Sequence, residues 1–368
     1  MQHTSVFVPP SQFAAAALLS AALAAQSPTL HQTVPAAYAA TDANSLLWVA
    51  GTGSDVRQQT LIGASHLTNL LGRELLALEI RRTASADAFA GATADWTVQL
   101  SHTNRDPLGA DRIMDNNVGA NAATVFQGLV TAPNSPATTG SAVPWSTANT
   151  IRVVFQTPFV YAGGTLCVDI VGHALPGQTS DWWVGDAVFE DISGTTTTIG
   201  NGCGMFGGSN HDWAYVCERT LLPGAFAQFR AHGTTGTFAV AMHGLPAAAP
   251  VPLSAFGVPA PGCSVALDPT QLLSSQVAMF AGTNDPFWPA SHGTANVFVA
   301  LPADPWIFGL TLATQWFDLG QPATSNAVQW TVANQMPSLD LAYIDGVPDD
   351  PIGLVTVHHA PVYRFDYR

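Results

Sequence analysis

The chain has 368 residues, 47% of them apolar and only 10% charged, which is more than a single core usually organises, so two domains of about 150 residues each are expected. Its net charge is −14, and every basic residue is Arg. A chain without Lys and with that excess of carboxylates cannot neutralise a run of phosphates, which excludes nucleic acid as a partner.

Residues 13–25 form an apolar run that contains the small-x-small sequence Ala22-Leu23-Ala24, the pattern of an export signal. The run falls short of the ~20 residues a spanning helix needs, so no membrane span is expected. The segment ahead of it carries no Lys or Arg, unlike most signals. Residues 1–41 are therefore read as a signal-like or assembly extension.

From Ser45 onward, turn residues punctuate the chain every few positions, and the runs between them alternate. Residues 45–49, 57–62 and 75–81 read as strands; in the last of these Leu76, Leu78 and Ile80 alternate with Glu79 and Arg81. Residues 96–101, 123–130, 150–155 and 165–171 continue the pattern, which predicts an antiparallel β-sandwich of jelly-roll type over 42–192. The Thr-rich stretch 193–198 has no burial pattern and reads as a boundary. A second sandwich follows over 200–333, with strands at 237–242, 264–267, 295–301, 308–316 and 327–332. Helix signals are sparse: 65–71 and 270–276 each suggest a turn or two. Residues 334–368 hold strand-like runs at 339–344, 354–358 and 362–367 and read as a C-terminal extension. They either complete an edge of their own sandwich or add a strand to a neighbouring molecule. The fold class expected is all-β, two antiparallel sandwiches with extensions at both ends.

The cysteines are Cys167, Cys203, Cys217 and Cys263, an even count in a chain with an export pattern, which favours disulfides over metal or catalysis. Three pairings are open, and sequence proximity alone would join Cys203 to Cys217. The segments Gly200-Asn201-Gly202-Cys203, Pro252-Leu253-Ser254-Ala255-Phe256-Gly257 and Pro261-Gly262-Cys263 resemble the C-terminal Gly-Cys sandwich module of secreted planctomycete-type proteins. Arg57-Gln58-Gln59, Glu79-Ile80-Arg81 and the run from Pro158 to Leu166 are similar to the jelly-roll-like domain that precedes that module. The resemblance implies an exported protein and places Cys203 and Cys263 at corresponding corners, leaving Cys167 with Cys217. It implies no reaction, and Cys167 stands where the family pattern has an apolar residue.

Catalytic chemistry has little purchase in the sequence. There is no Gly-x-Ser-x-Gly nucleophile elbow, and Ser209, His211 and Asp212, adjacent in one loop, read as a polar turn rather than a triad. His102, His173, His211, His232, His243, His292, His358 and His359 lack zinc spacing, and His358 and His359 alternate faces. Carboxylates gather at Asp181, Asp186, Glu190 and Asp191, at Asp106, Asp111 and Asp115, and at Asp345, Asp349 and Asp350. Turn formation accounts for them, with calcium at loop ends the only cofactor weighed, and an acid pair of glycosidase type is open to residues on distant strands. Of the ten tryptophans, Trp182-Trp183 point to opposite faces of a strand, so one is expected to be exposed, as for sugar stacking or a subunit contact; Trp288, Trp306, Trp316 and Trp330 are expected in the second core.

These features lead to a non-enzymatic extracellular structural protein that self-assembles, as a homopolymer, through its terminal extensions. The alternative is an extracellular lectin-like module binding polysaccharide, and a polysaccharide hydrolase stands third.

Overall fold

The computed structural model describes residues 29–178, 183–204, 215–216, 221–282, 292–320 and 322–368. The described chain is nearly all β, its helical residues confined to short 3-10 turns, and its sheets are antiparallel throughout. No described helix is long and apolar enough to cross a membrane.

The first sandwich begins with β1 (Leu30–Val34), β2 (Ser45–Trp48), β3 (Val56–Ile62), β4 (Glu74–Arg81), β5 (Ala92–Thr103), β6 (Ala123–Ala132), β7 (Thr150–Val160), β8 (Thr165–Ala174) and β9 (Val184–Phe189). It is finished by the end of the chain: β19 (Leu341–Gly346), β20 (Leu354–Thr356), β21 (His359–Pro361) and β22 (Tyr363–Tyr367). The three sheets run β1-β22-β4-β7, β20-β19-β3-β8-β5-β6 and β2-β9-β21. The strands of residues 334–368 are therefore not an extension. β19 lies between β20 and β3, with Leu341 opposite Ile62, and β22 lies between β1 and β4, with Tyr363 opposite both Val34 and Ile80. A strand paired on both sides has no free backbone edge to offer a neighbouring molecule.

Between the two halves of that sandwich sits the second one: β10 (Thr195–Ile199), β11 (Tyr215–Val216), β12 (Phe226–Thr234), β13 (Phe238–Pro252), β14 (Ser264–Met279), β15 (Ala281–Gly282), β16 (His292–Ala300), β17 (Thr311–Asp318) and β18 (Thr324–Thr331). Its sheets run β10-β18-β17-β13-β14 and β11-β12-β16-β15. Two sequence expectations change here. Residues 193–198 lie mostly in β10, where Thr195–Ile199 pair along β18, and 270–276 continue β14 rather than turning into helix, because Leu272 and Ser274 to Gln276 find ladder partners on β13.

Three apolar clusters hold the molecule. The first core packs Trp96, Trp183, Phe155, Phe159 and Phe365 among the branched residues of both large sheets. The second packs Phe229, Trp316 and Trp330. The third joins Leu61, Met114, Cys167, Ala342 and Ile344 of the first sandwich to Leu222, Ala225 and Ala333 next to the second, so the six-stranded sheet is covered on both faces. Within the first sandwich the strand alternation of β4 is real, yet its polar face is buried too. Glu79 lies between Arg152 and Arg364, and Asp366 bonds Arg152 at 2.5 Å and His31 at 2.6 Å, a charged ladder that crosses β1, β22, β4 and β7. Arg81 and Asp186 form a wholly buried pair at 2.5 Å. Breaking such a pair costs more than the pair contributes, so these contacts fix register above all.

Candidate ligand cleft

A short edge strand borders one hollow. β2 pairs only with β9 among the described strands, and its period of two turns Leu46 and Trp48 the same way, 49% and 59% exposed. Across from them, Asp345 of β19 stands directly opposite Gln58 of β3, and Tyr343 lies two residues along from Asp345, so all three share one face. The resulting cleft has a volume of about 450 Å³ and is lined by Leu46, Leu47, Trp48, Gln58, Tyr343 and Asp345, with Ser54 and Val56 completing it. That size suits a small ligand.

The amide of Gln58 sets the geometry. Its Nε2 donates to the Trp48 carbonyl at 2.7 Å and to the Tyr343 hydroxyl at 2.7 Å, and its Oε1 accepts from the Ala50 amide at 3.2 Å. Tyr343 thus receives one bond and keeps its own proton to donate. Its phenol is pushed well above its ordinary range by burial, so it stays protonated. Burial also pushes the Asp345 carboxyl up to about 6, opposed only by its own backbone amide. The cleft therefore offers an exposed indole, a phenol donor and a carboxyl that can be acid or acceptor near neutral pH. Among the described residues its one carboxyl is Asp345.

The residues singled out from sequence scatter. The disulfide joins Cys203 to Cys263, with Cα atoms 5.1 Å apart. Gly202 and Gly262, each preceding a cysteine, adopt φ of 68° and 78°, a conformation glycine takes without strain. Cys167 is a free, buried thiol, contrary to the expected disulfide: it faces the third cluster from near the start of β8, and burial pushes its thiol up. Cys217 lies outside the described residues, as do Asp181, Trp182, Ser209, His211, Asp212 and Trp288. Trp183, Trp316 and Trp330 are in the cores, but Trp306 is 67% exposed, at a turn rather than on a strand.

The carboxylate clusters are divided among separate tasks. Asp186 and Asp115 pair with Arg81 and Arg57, Asp111 with Arg105, Asp106 caps a turn by accepting from the Gly109 amide, and Glu190 accepts from the Ser338 amide and hydroxyl. Among the described residues no three His, Cys, Asp or Glu converge as a metal site. His243 is buried beside Thr314, which pushes it down to about 4 and keeps it neutral, and His359 bonds Ser45. Of the third carboxylate group, only Asp345 enters the cleft; Asp349 and Asp350 lie beyond the end of β19. Sequence reading missed Trp48 and Gln58 as cleft residues, although the pattern that exposes Trp48, a four-residue strand followed by Gly51 and Gly53, is visible.

No protein-family model matches the chain, and a search of curated proteins finds no match either.

Proposed function

We propose that the protein is a non-enzymatic extracellular binding protein that holds carbohydrate in the Trp48 cleft. One observation carries the reading: an indole 59% exposed on a four-residue edge strand stands beside a carboxyl, a phenol and an amide that converge on one cleft. A sugar ring presents C–H groups on its faces and hydroxyls at its rim, so a flat apolar ring flanked by hydrogen-bonding groups matches both. The extracellular address is supported by the disulfide, by the apolar run 13–25 and by the likeness of the Gly-Cys corners to those of secreted planctomycete-type proteins. A glycan array followed by calorimetry tests the reading. Trp48→Ala should abolish retention of the sugars that bind, while Trp306→Ala, at an exposed ring outside the cleft, should leave it unchanged. An array without a hit, or equal binding by Trp48→Ala, would overturn the proposal.

Self-association is a second reading, favoured by the outer edge of β14. That strand ends its sheet, exposes Leu272, Leu273, Val277 and Met279, and has no charged residue from Pro269 to Phe280. Apolar, uncharged edges of this kind add strands from other chains, and net charge is the usual guard against it. Leu273→Lys with Val277→Lys should shift sedimentation to monomer at concentrations where the unaltered protein associates. A protein that is monomeric before substitution refutes this reading.

A further inference from the structure

A second hollow, of about 400 Å³, opens where the two sandwiches meet, and two of the chain's eleven basic groups face it: Arg112 and Arg230. Arg230 and Gln228 are two residues apart on β12 and so share a face. Across the ladder Asn296 stands opposite Arg230, and its Oδ1 accepts from Arg230 Nε at 3.0 Å and from Gln228 Nε2 at 3.1 Å, which orients both side chains. Arg112 arrives from the first sandwich, and its segment is anchored by the Gly353 amide, which donates to the Arg112 carbonyl at 2.7 Å, and by the bridge from Ile113 to Ile352. Its guanidinium lies over the Phe298 ring, 4.0 Å from the centroid.

Arg112 differs from most of the described arginines in having no side-chain acceptor. Arg57, Arg81, Arg105, Arg152, Arg364 and Arg368 all have carboxylates within bonding distance. Arg112 has none among the described residues, and its Nε is buried with no hydrogen-bond partner. A guanidinium stacked on an aromatic face with its Nε buried and unpaired is costly in isolation, and its remaining donors at the hollow suit an oxyanion. The general field of a chain with net charge −14 repels anions, so an anion reaching this place would be held by the local pair alone. Asp350 also lines the hollow; it is exposed, and it does not reach Arg112 within salt-bridge distance.

We propose that this hollow is an anion-binding site in which Arg112 and Arg230 hold a carboxylate or sulfate group, with Asp350 as a like-charged competitor at its rim. The assignment stands apart from the Trp48 cleft. It is tested by calorimetry on the full chain at constant ionic strength, with inorganic sulfate, oligogalacturonate and a neutral galactose oligomer as probes. Saturable binding of sulfate is expected, with none of the neutral oligomer; oligogalacturonate binding as well would identify a sugar-borne anion, and sulfate alone a free one. Arg112→Gln should weaken binding at least tenfold, Arg112→Lys less because an ammonium keeps the charge while losing the fork, and Asp350→Asn should strengthen it several-fold. Trp48→Ala should change none of this. No saturable binding of either anion, unchanged affinity in Arg112→Gln, or loss of binding in an Asp350→Asn variant that melts like the parent, would overturn the assignment.

Discussion

Replacing Asp345 by Asn tests whether the cleft carries a stability cost retained for binding. Burial raises the carboxyl from 3.8 to about 6 in the folded protein. That is a shift of about 2 units, and at ~1.4 kcal/mol per unit the ionised side chain costs the fold about 3 kcal/mol above pH 7. Between about pH 4 and 6 the native state binds the extra proton, so this group makes stability fall as pH rises through that window. Asp345→Asn removes the ionisation while keeping nearly the same shape. At pH 7.5 the variant should be more stable by up to about 3 kcal/mol, on the order of 6–12 °C in melting temperature for a unit of this size. At pH 3.5 the two proteins should melt together. The difference between variant and parent at each pH isolates this carboxyl from Asp186, which burial also raises to about 6. Chemical denaturation followed by tryptophan fluorescence supplies the free energies, and sugar affinity is measured on the same samples. A gain of equal size at both pH values, or a variant less stable at pH 7.5, would refute the assignment of a strained carboxyl; a gain in stability coupled to a loss of affinity is the expected trade.

Two further outcomes follow from the topology. Deleting residues 334–368 removes β19 and β22 from inside their sheets, so the first sandwich should not fold; a soluble remainder with intact near-UV circular dichroism would contradict the insertion. Reducing or substituting the Cys203–Cys263 disulfide, which spans a sequence separation of 60, should cost about 4 kcal/mol by loop-closure entropy, confined to the second sandwich, and an unchanged urea midpoint would contradict that.

Local chemistry made the strands legible, and long-range pairing made the rest opaque. The alternation of Leu76, Leu78 and Ile80 marked β4 correctly, but nothing in it told that Glu79 and Arg81 would be buried, because their partners Arg364 and Asp186 lie far along the chain. Residues 270–276 carry two Gln and two Leu at spacings a helix also accepts; the ladder to β13, with Leu272 opposite Gly244, decided for strand. Of the Trp182-Trp183 pair, expected to place one ring in the core, Trp183 is wholly buried and Trp182 lies outside the described residues; the exposed indole of the cleft is Trp48, on a strand whose outer side is left uncovered among the described strands. Exposure belongs to the packing of sheets, which periodicity along one strand does not encode. Asp345, Asp349 and Asp350 looked like one acidic group because they are close in sequence; β19 ends between them and sends the first to one hollow and the last to another.

That division gives the end of the chain its functional weight. Tyr343 and Asp345 of β19 line the cleft, while Asp350, Ile352 and Gly353, in the turn toward β20, and Leu354 at its start line the anion hollow. The hairpin touching both sites is held in place by β3 on one side, with Ile344 opposite Gln59, and by the third cluster, which packs Ala342 and Ile344 toward Leu222 and Ala225. Residues 334–368, which read as strands in search of a neighbour, find that neighbour within their own chain. Because the second sandwich is inserted ahead of them, the hairpin can be set only after the chain has passed through that sandwich and returned. The two candidate sites are thus built by closure of the first sandwich, and a change that loosens β19 should weaken both together.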